Sequence, residues 1–123
     1  MFQQLSDTEL MIMEYLWSQN IPKTFSEIKA FFEATTNKNW KKQTLNTFLS
    51  RLIDKGLLER KKEETKAYYG AALTKAEFKQ RKAKAILEEC YEGKISHFIA
   101  ALTGNNAITK VDEKELIAHI LDR

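Results

Sequence analysis

The 123-residue chain contains a single cysteine, Cys90. One thiol cannot build a disulfide scaffold, and it cannot supply a Cys-rich zinc or copper site. Breakers are equally scarce, with one proline and four glycines. Together with 30% charged residues, that scarcity points to a soluble, mostly helical protein. Long apolar runs are missing too. The least polar stretch, Ile95 to Leu102, is interrupted by Ser96 and His97. It falls far short of the roughly 18 apolar residues that a membrane span needs. Met1-Phe2-Gln3-Gln4-Leu5-Ser6-Asp7 has no basic stretch followed by an apolar one, so no signal peptide is expected and the default location is the cytoplasm. No Ser/His/Asp order, glycine-rich phosphate loop or HExxH is present, so neither an enzyme nor a cofactor is expected.

What is present excludes disorder. The chain is 43% hydrophobic and carries seven Phe, four Tyr and two Trp. Its length fits one domain, or two very small ones. So short a chain buries only about two-thirds of its unfolded surface, which leaves stability thin without a partner. The net charge is +3, unevenly spread. Residues 38–66 hold nine basic and four acidic groups, whereas residues 1–37 hold two and five. A basic stretch of this kind is a candidate polyanion footprint, although charged faces are commonly just solvated.

Ser6-Asp7-Thr8-Glu9 reads as a capping box opening a first helix to about Ser18, with Leu10, Met13, Leu16 and Trp17 on one face. Thr24-Phe25-Ser26-Glu27 opens a second helix ending near Ala34, with Ile28, Phe31 and Phe32 inward. A third helix begins near Lys41. Leu45, Phe48, Leu49, Leu52 and Ile53 give it a core-facing stripe, and Gly56 sits where a left-handed residue would end it. Leu57–Lys61 and 67–71 read as two short strands around a charged tip. Lacking Asn-Gly, their loop is expected to exceed two residues. Three helices and then a hairpin is the order of a winged helix. Thr74-Lys75-Ala76-Glu77 opens a long fourth helix stopped by Gly93; a fifth ends at Gly104, and Asp112 is expected to cap a sixth.

The outward face of the third helix carries the chemistry. Asn46 and Gln43 can each pair bidentately with adenine, and Thr44 and Thr47 can hydrogen-bond a base or touch a thymine methyl. Lys41, Lys42 and Arg51, with Arg60, Lys61, Lys62 and Lys66 in the hairpin, are placed for phosphates. The competing reading is a solvated amphipathic helix beside a charged hairpin. Trp40 is expected in the core, and one of Tyr68 and Tyr69 should face inward. Cys90 is expected to be a small buried hydrophobe. His97 and His119 lie on different helices without a nearby Cys, so no metal is assigned.

Leu5-Ser6-x-x-Glu9, Met13-x-x-Leu16-Trp17, Trp40-x-x-x-Thr44-Leu45-x-Thr47-x-Leu49-x-Arg51-Leu52, Lys55-Gly56-Leu57, Tyr68-Tyr69 and Tyr91-x-Gly93 resemble the penicillinase and methicillin-resistance repressors of the BlaI/MecI type. The resemblance implies an N-terminal winged helix, a C-terminal three-helix dimerisation region and a bacterial repressor on an operator of inverted repeats. It also implies that Gln43, Thr44, Asn46 and Thr47 read bases, while Arg51 and the wing lysines meet the backbone. The departures are specific. Asn46 replaces an arginine found in several relatives. Lys41-Lys42 replaces Ser-Pro at the start of the recognition helix, and the linker 35–39 is a few residues longer. The Asn-Phe bond that a membrane-linked protease cleaves in antibiotic-responsive members corresponds to Ala101-Leu102, so a regulatory protease stays an open alternative among the partners. The Cys-x-Cys motif of copper-responsive members is absent.

The expected architecture is therefore mainly α with a small β-hairpin wing: a winged helix-turn-helix over 1–73 and a helical dimerisation domain over 74–123. The expected function is a sequence-specific DNA-binding repressor, a homodimer on a double-stranded operator. Its interface would use Ile86, Leu87, Cys90, Tyr91, Ile95, Phe98, Ile99, Leu102, Leu116, Ile117, Ile120 and Leu121. The alternative is a winged helix used as a protein-interaction module without specific DNA binding.

Overall fold

A computed structural model describes residues 4–122. The elements run α1 (Asp7–Gln19), β1 (Lys23–Thr24), α2 (Phe25–Thr35), α3 (Lys42–Asp54), β2 (Leu58–Glu63), β3 (Lys66–Ala71), α4 (Lys75–Tyr91), α5 (Ile95–Gly104) and α6 (Lys110–Leu121). The chain divides into two compact units, the first ending at Gln80 and the second beginning at Arg81. The opening turns of α4 thus belong to the first unit, because Phe78 is buried in its core and packs 5.4 Å from Trp17.

The first unit is a winged helix. Ile12, Met13 and Leu16 from α1, Ile28 and Phe32 from α2, and Leu45, Leu49 and Leu52 from α3 meet in one core with Leu57, Leu58 and Tyr69 from the sheet. Capping boxes start α1 and α2, through Ser6 with Glu9 and Thr24 with Glu27. Asn20, in the left-handed conformation at φ 58°, closes α1. At the end of α3 the Gly56 N–H donates to the Ile53 carbonyl at 2.9 Å and the Leu57 N–H to the Leu52 carbonyl at 3.0 Å. This is a Schellman closure, and it requires the positive φ of 77° that Gly56 adopts without penalty. The turn points the chain directly into β2.

Three features of this unit differ from the sequence expectation. A third strand exists: β1 pairs antiparallel with β3, giving the order β1-β3-β2. Two residues carry no periodicity, so β1 left no pattern to read. The hairpin loop is two residues, Glu64-Thr65, rather than longer. Glu64 takes the positive φ of 54° that glycine or asparagine usually supplies, and the opposite charges of Glu63 and Lys66 face each other just below it. Ile53 is 37% exposed, because the helical period places it at the lateral margin of the stripe whose centre is the fully buried Leu45, Leu49 and Leu52.

In the second unit α5 and α6 follow α4 without strands. Thr109 rather than Asp112 caps α6: the Thr109 hydroxyl accepts from the Asp112 N–H at 3.1 Å, and Asp112 reaches back to the Thr109 N–H at 2.9 Å. The shorter hydroxyl side chain takes the cap, and the carboxylate completes the box. None of the described residues from 81 onward is buried in the single chain. Cys90 is exposed, contrary to expectation, because the apolar stripe it belongs to is uncovered. Among the described residues no helix is long and apolar enough to cross a membrane.

Glu9 is buried at 3% exposure. Burial alone would raise its pKa, but the Ser6 N–H and hydroxyl and the Lys55 ammonium outweigh that and hold it below the usual carboxylate range. A carboxyl depressed in the folded state contributes stability above its unfolded pKa, and that contribution is lost as pH falls through the folded value. Urea unfolding followed from pH 7 downward should show stability declining below about pH 4.3. The decline should be shallower in Glu9→Gln; identical profiles for both chains would contradict this assignment.

Candidate nucleic-acid interface

Two aromatic contacts set where α3 enters. Trp40, in the loop before it, lies 5.0 Å from Phe32 of α2 and 5.6 Å from Phe48 of α3, so it wedges the two helices apart at a fixed spacing. Leu45, Leu49 and Leu52, all 0% exposed, then seat the helix on the core. Seating at that spacing turns the opposite face of the helix outward. Gln43, Thr44, Asn46, Thr47, Ser50, Arg51 and Asp54 are all exposed. The Thr47 hydroxyl donates back to the Gln43 carbonyl at 2.9 Å, which leaves its methyl and a lone pair facing out.

The N-terminus of α3 has no side-chain cap, since Lys41 stands at the N-cap position and cannot accept a hydrogen bond there. Its first N–H groups keep their outward partial charge beside the exposed Lys41 and Lys42. That end of the helix favours an anion.

The wing sorts its charges by strand period. Register pairs Arg60 with Tyr69, Lys62 with Ala67 and Leu58 with Ala71. Leu58 and Tyr69 are buried, so Arg60 and Lys62 share the core-side face. Glu59, Lys61 and Glu63 lie on the other face with Tyr68 and Lys66. One face of the wing is therefore basic beyond the core, and the other is balanced between two acids and two bases. Lys66 is further compensated by Glu27, whose carboxyl it helps the Thr24 N–H and hydroxyl to hold below the usual range. The four basic wing residues are thus brought to one hairpin but not to one surface. Tyr69 packs inward and Tyr68 is half-buried.

The family model described as penicillinase repressor matches residues 5–122. The chain belongs to the penicillinase repressor family. Among its relatives, the penicillinase repressor of Bacillus licheniformis is 27% identical over 113 residues, covering 92% of this chain and 86% of that one. The methicillin resistance regulatory protein MecI of Staphylococcus aureus (strain N315) is 22% identical over 120 residues, covering 98% and 94%. Two solved structures of BlaI, each 29% identical and covering 62% of this chain and 89% of theirs, superpose on it. The DNA-binding domain of the repressor gives a TM-score of 0.52. The Bacillus licheniformis monomeric form in complex with the blaP half-operator gives 0.51. The winged-helix architecture of the first unit is the one these family members share.

The apolar positions assigned to a dimer interface lie uncovered in the second unit. Ile86, Ile95, Leu116, Ile117, Ile120 and Leu121 are 42%, 60%, 39%, 55%, 57% and 79% exposed. Leu87, Tyr91, Phe98, Ile99 and Leu102 are half-buried, and the Tyr91 ring lies tilted 5.2 Å from that of Phe98. The Ala101-Leu102 bond lies inside α5. The sequence reading missed the Glu9–Lys55 ion pair. Its signal was an acidic residue in the first turn of α1 and a lysine at the end of α3, with nothing in their spacing to join them.

Proposed function

We propose that the chain is a transcriptional repressor that binds double-stranded DNA through α3 and the wing, acting in the cytoplasm as a homodimer on an inverted-repeat operator. The observation that carries this reading is the outward face of α3. It is polar along its length, held by a fully buried apolar stripe, and flanked by an uncapped basic N-terminus and a basic wing face. Short polar side chains on a rigid helix suit base edges in a major groove, and a protein partner would call for an aromatic or aliphatic anchor at the centre of that face. Membership of a family that includes a BlaI structure bound to a half-operator supports the same reading.

Gln43, Thr44, Asn46 and Thr47 read bases, with Asn46 the strongest candidate for a bidentate pair with adenine. Lys41, Lys42 and Arg51 meet phosphates. The uncovered apolar stripes of residues 74–123 are covered by the same stripes of a second chain, and half-sites then fall one helical turn of ~34 Å or a multiple apart. Repression follows from occupancy of a promoter that polymerase would otherwise use.

Two measurements test the residue roles. Asn46→Ala should lower affinity for the preferred duplex by about 1–3 kcal/mol and lose discrimination at one base pair. An unchanged ratio between that duplex and its one-base variant would remove Asn46 from base reading. In the wing, Arg60→Ala/Lys62→Ala should flatten the slope of log affinity against log salt by about two units, because each phosphate contact contributes close to one. Lys61→Ala on the balanced face should leave the slope nearly unchanged; equal effects from both faces would contradict the sorting of charges.

A further inference from the structure

Glu9 is the buried charged side chain among the described residues, and the DNA-binding surface makes no use of it. It lies in the first turn of α1, where its carboxylate accepts from the Ser6 N–H at 2.8 Å. The same carboxylate takes the Lys55 ammonium on both oxygens, at 2.9 and 3.0 Å. Lys55 is the residue at which α3 ends, immediately before the Gly56 turn into the wing. Its ammonium also donates to the Gln4 carbonyl at 3.0 Å. One cation therefore ties together the segment before α1, the start of α1 and the end of α3. Its own side chain is 19% exposed, while that of Glu9 is 4% exposed.

We infer that the Glu9–Lys55 pair is a positioning latch for the recognition helix, fixing its axial setting against α1. Apolar packing of Leu45, Leu49 and Leu52 holds α3 to the core and fixes which face turns inward, but that attraction is non-directional and pairs no specific atoms along the helix axis. A charge-assisted contact at the helix end does pair specific atoms. A slip large enough to misplace Asn46 against a base edge would part the ammonium from a carboxylate that has little water to replace it. The latch sits where α3 hands over to β2, so it sets the helix and the root of the wing together.

This inference rests on the DNA-binding reading above, and the experiment separates the two. The full-length wild-type chain is first given a duplex that it selects from a random library, and a scrambled duplex of equal length, at one fixed salt. Equal affinities for the two would overturn the DNA-binding reading itself. Lys55→Met, which keeps the aliphatic stem, is then compared with Lys55→Arg and Glu9→Gln, well below each variant's melting temperature. Loss of folded protein alone would weaken both duplexes equally. The latch predicts that Lys55→Met lowers affinity for the selected duplex about tenfold, the order of one lost base contact. Affinity for the scrambled duplex and the salt slope stay as in the wild type, and Lys55→Arg restores most of the loss. Should Lys55→Met fail to fold, Glu9→Gln is read by the same criterion. A selected-to-scrambled ratio equal to the wild type in every folded variant would overturn the latch while leaving the DNA-binding reading intact.

Discussion

Water exclusion at three leucines governs the rest of the first unit. Leu45, Leu49 and Leu52 are each 0% exposed, and complete burial of such a side chain stabilises by roughly 1.5–3 kcal/mol. Their i, i+4, i+7 spacing fixes which side of α3 meets the core, and the positions on the opposite side must face outward. The chemistry of the candidate interface is a by-product of that constraint. Gln43, Asn46 and Thr47 are displayed because the leucines are hidden. Trp40, wedged between Phe32 and Phe48, sets the distance at which this happens.

The same logic runs through the wing with a period of two. Leu58 and Tyr69 must point to the core, so Arg60 and Lys62 inherit that face and Lys61 falls on the other. A run of bases that looks uniform along the chain is thereby divided between a basic surface and a balanced one. In α3 the helical period concentrates polar groups, and in β2 the strand period separates charges. Both outcomes follow from which neighbour is apolar.

Much of this was legible beforehand, and the exceptions have physical causes. Ser6 with Glu9, Thr24 with Glu27 and Thr74 with Glu77 mark helix starts because both halves of each box are local. Thr109 with Asp112 has the same geometry, but an aspartate that can itself cap a helix obscures which residue holds the position. The α3 stripe and the Gly56 stop are likewise local signals. The strand β1 was invisible because two residues have no period, and it exists only through pairing with Tyr68 and Tyr69. The tight turn at Glu64-Thr65 lacks the usual turn residues, and Glu64 itself takes the positive φ of 54°. The Glu9–Lys55 pair joins positions 46 residues apart, and no pattern in a single sequence announces such a contact. Cys90 shows the reverse case. Its apolar stripe is plain in the sequence, but a stripe's pattern does not say whether anything covers it, and Cys90 is exposed.

In the proposed function, α3 and the wing read a DNA sequence in two symmetric copies. Selection of bound duplexes from a random library, with the full-length chain at a fixed salt near physiological, tests it most directly. A repressor dimer should recover a palindrome whose half-sites are separated by one helical turn or a multiple, reporting specificity and dimeric symmetry in one experiment. Recovery of no motif, with affinity falling steeply as salt rises, would contradict it and leave only a non-specific basic surface.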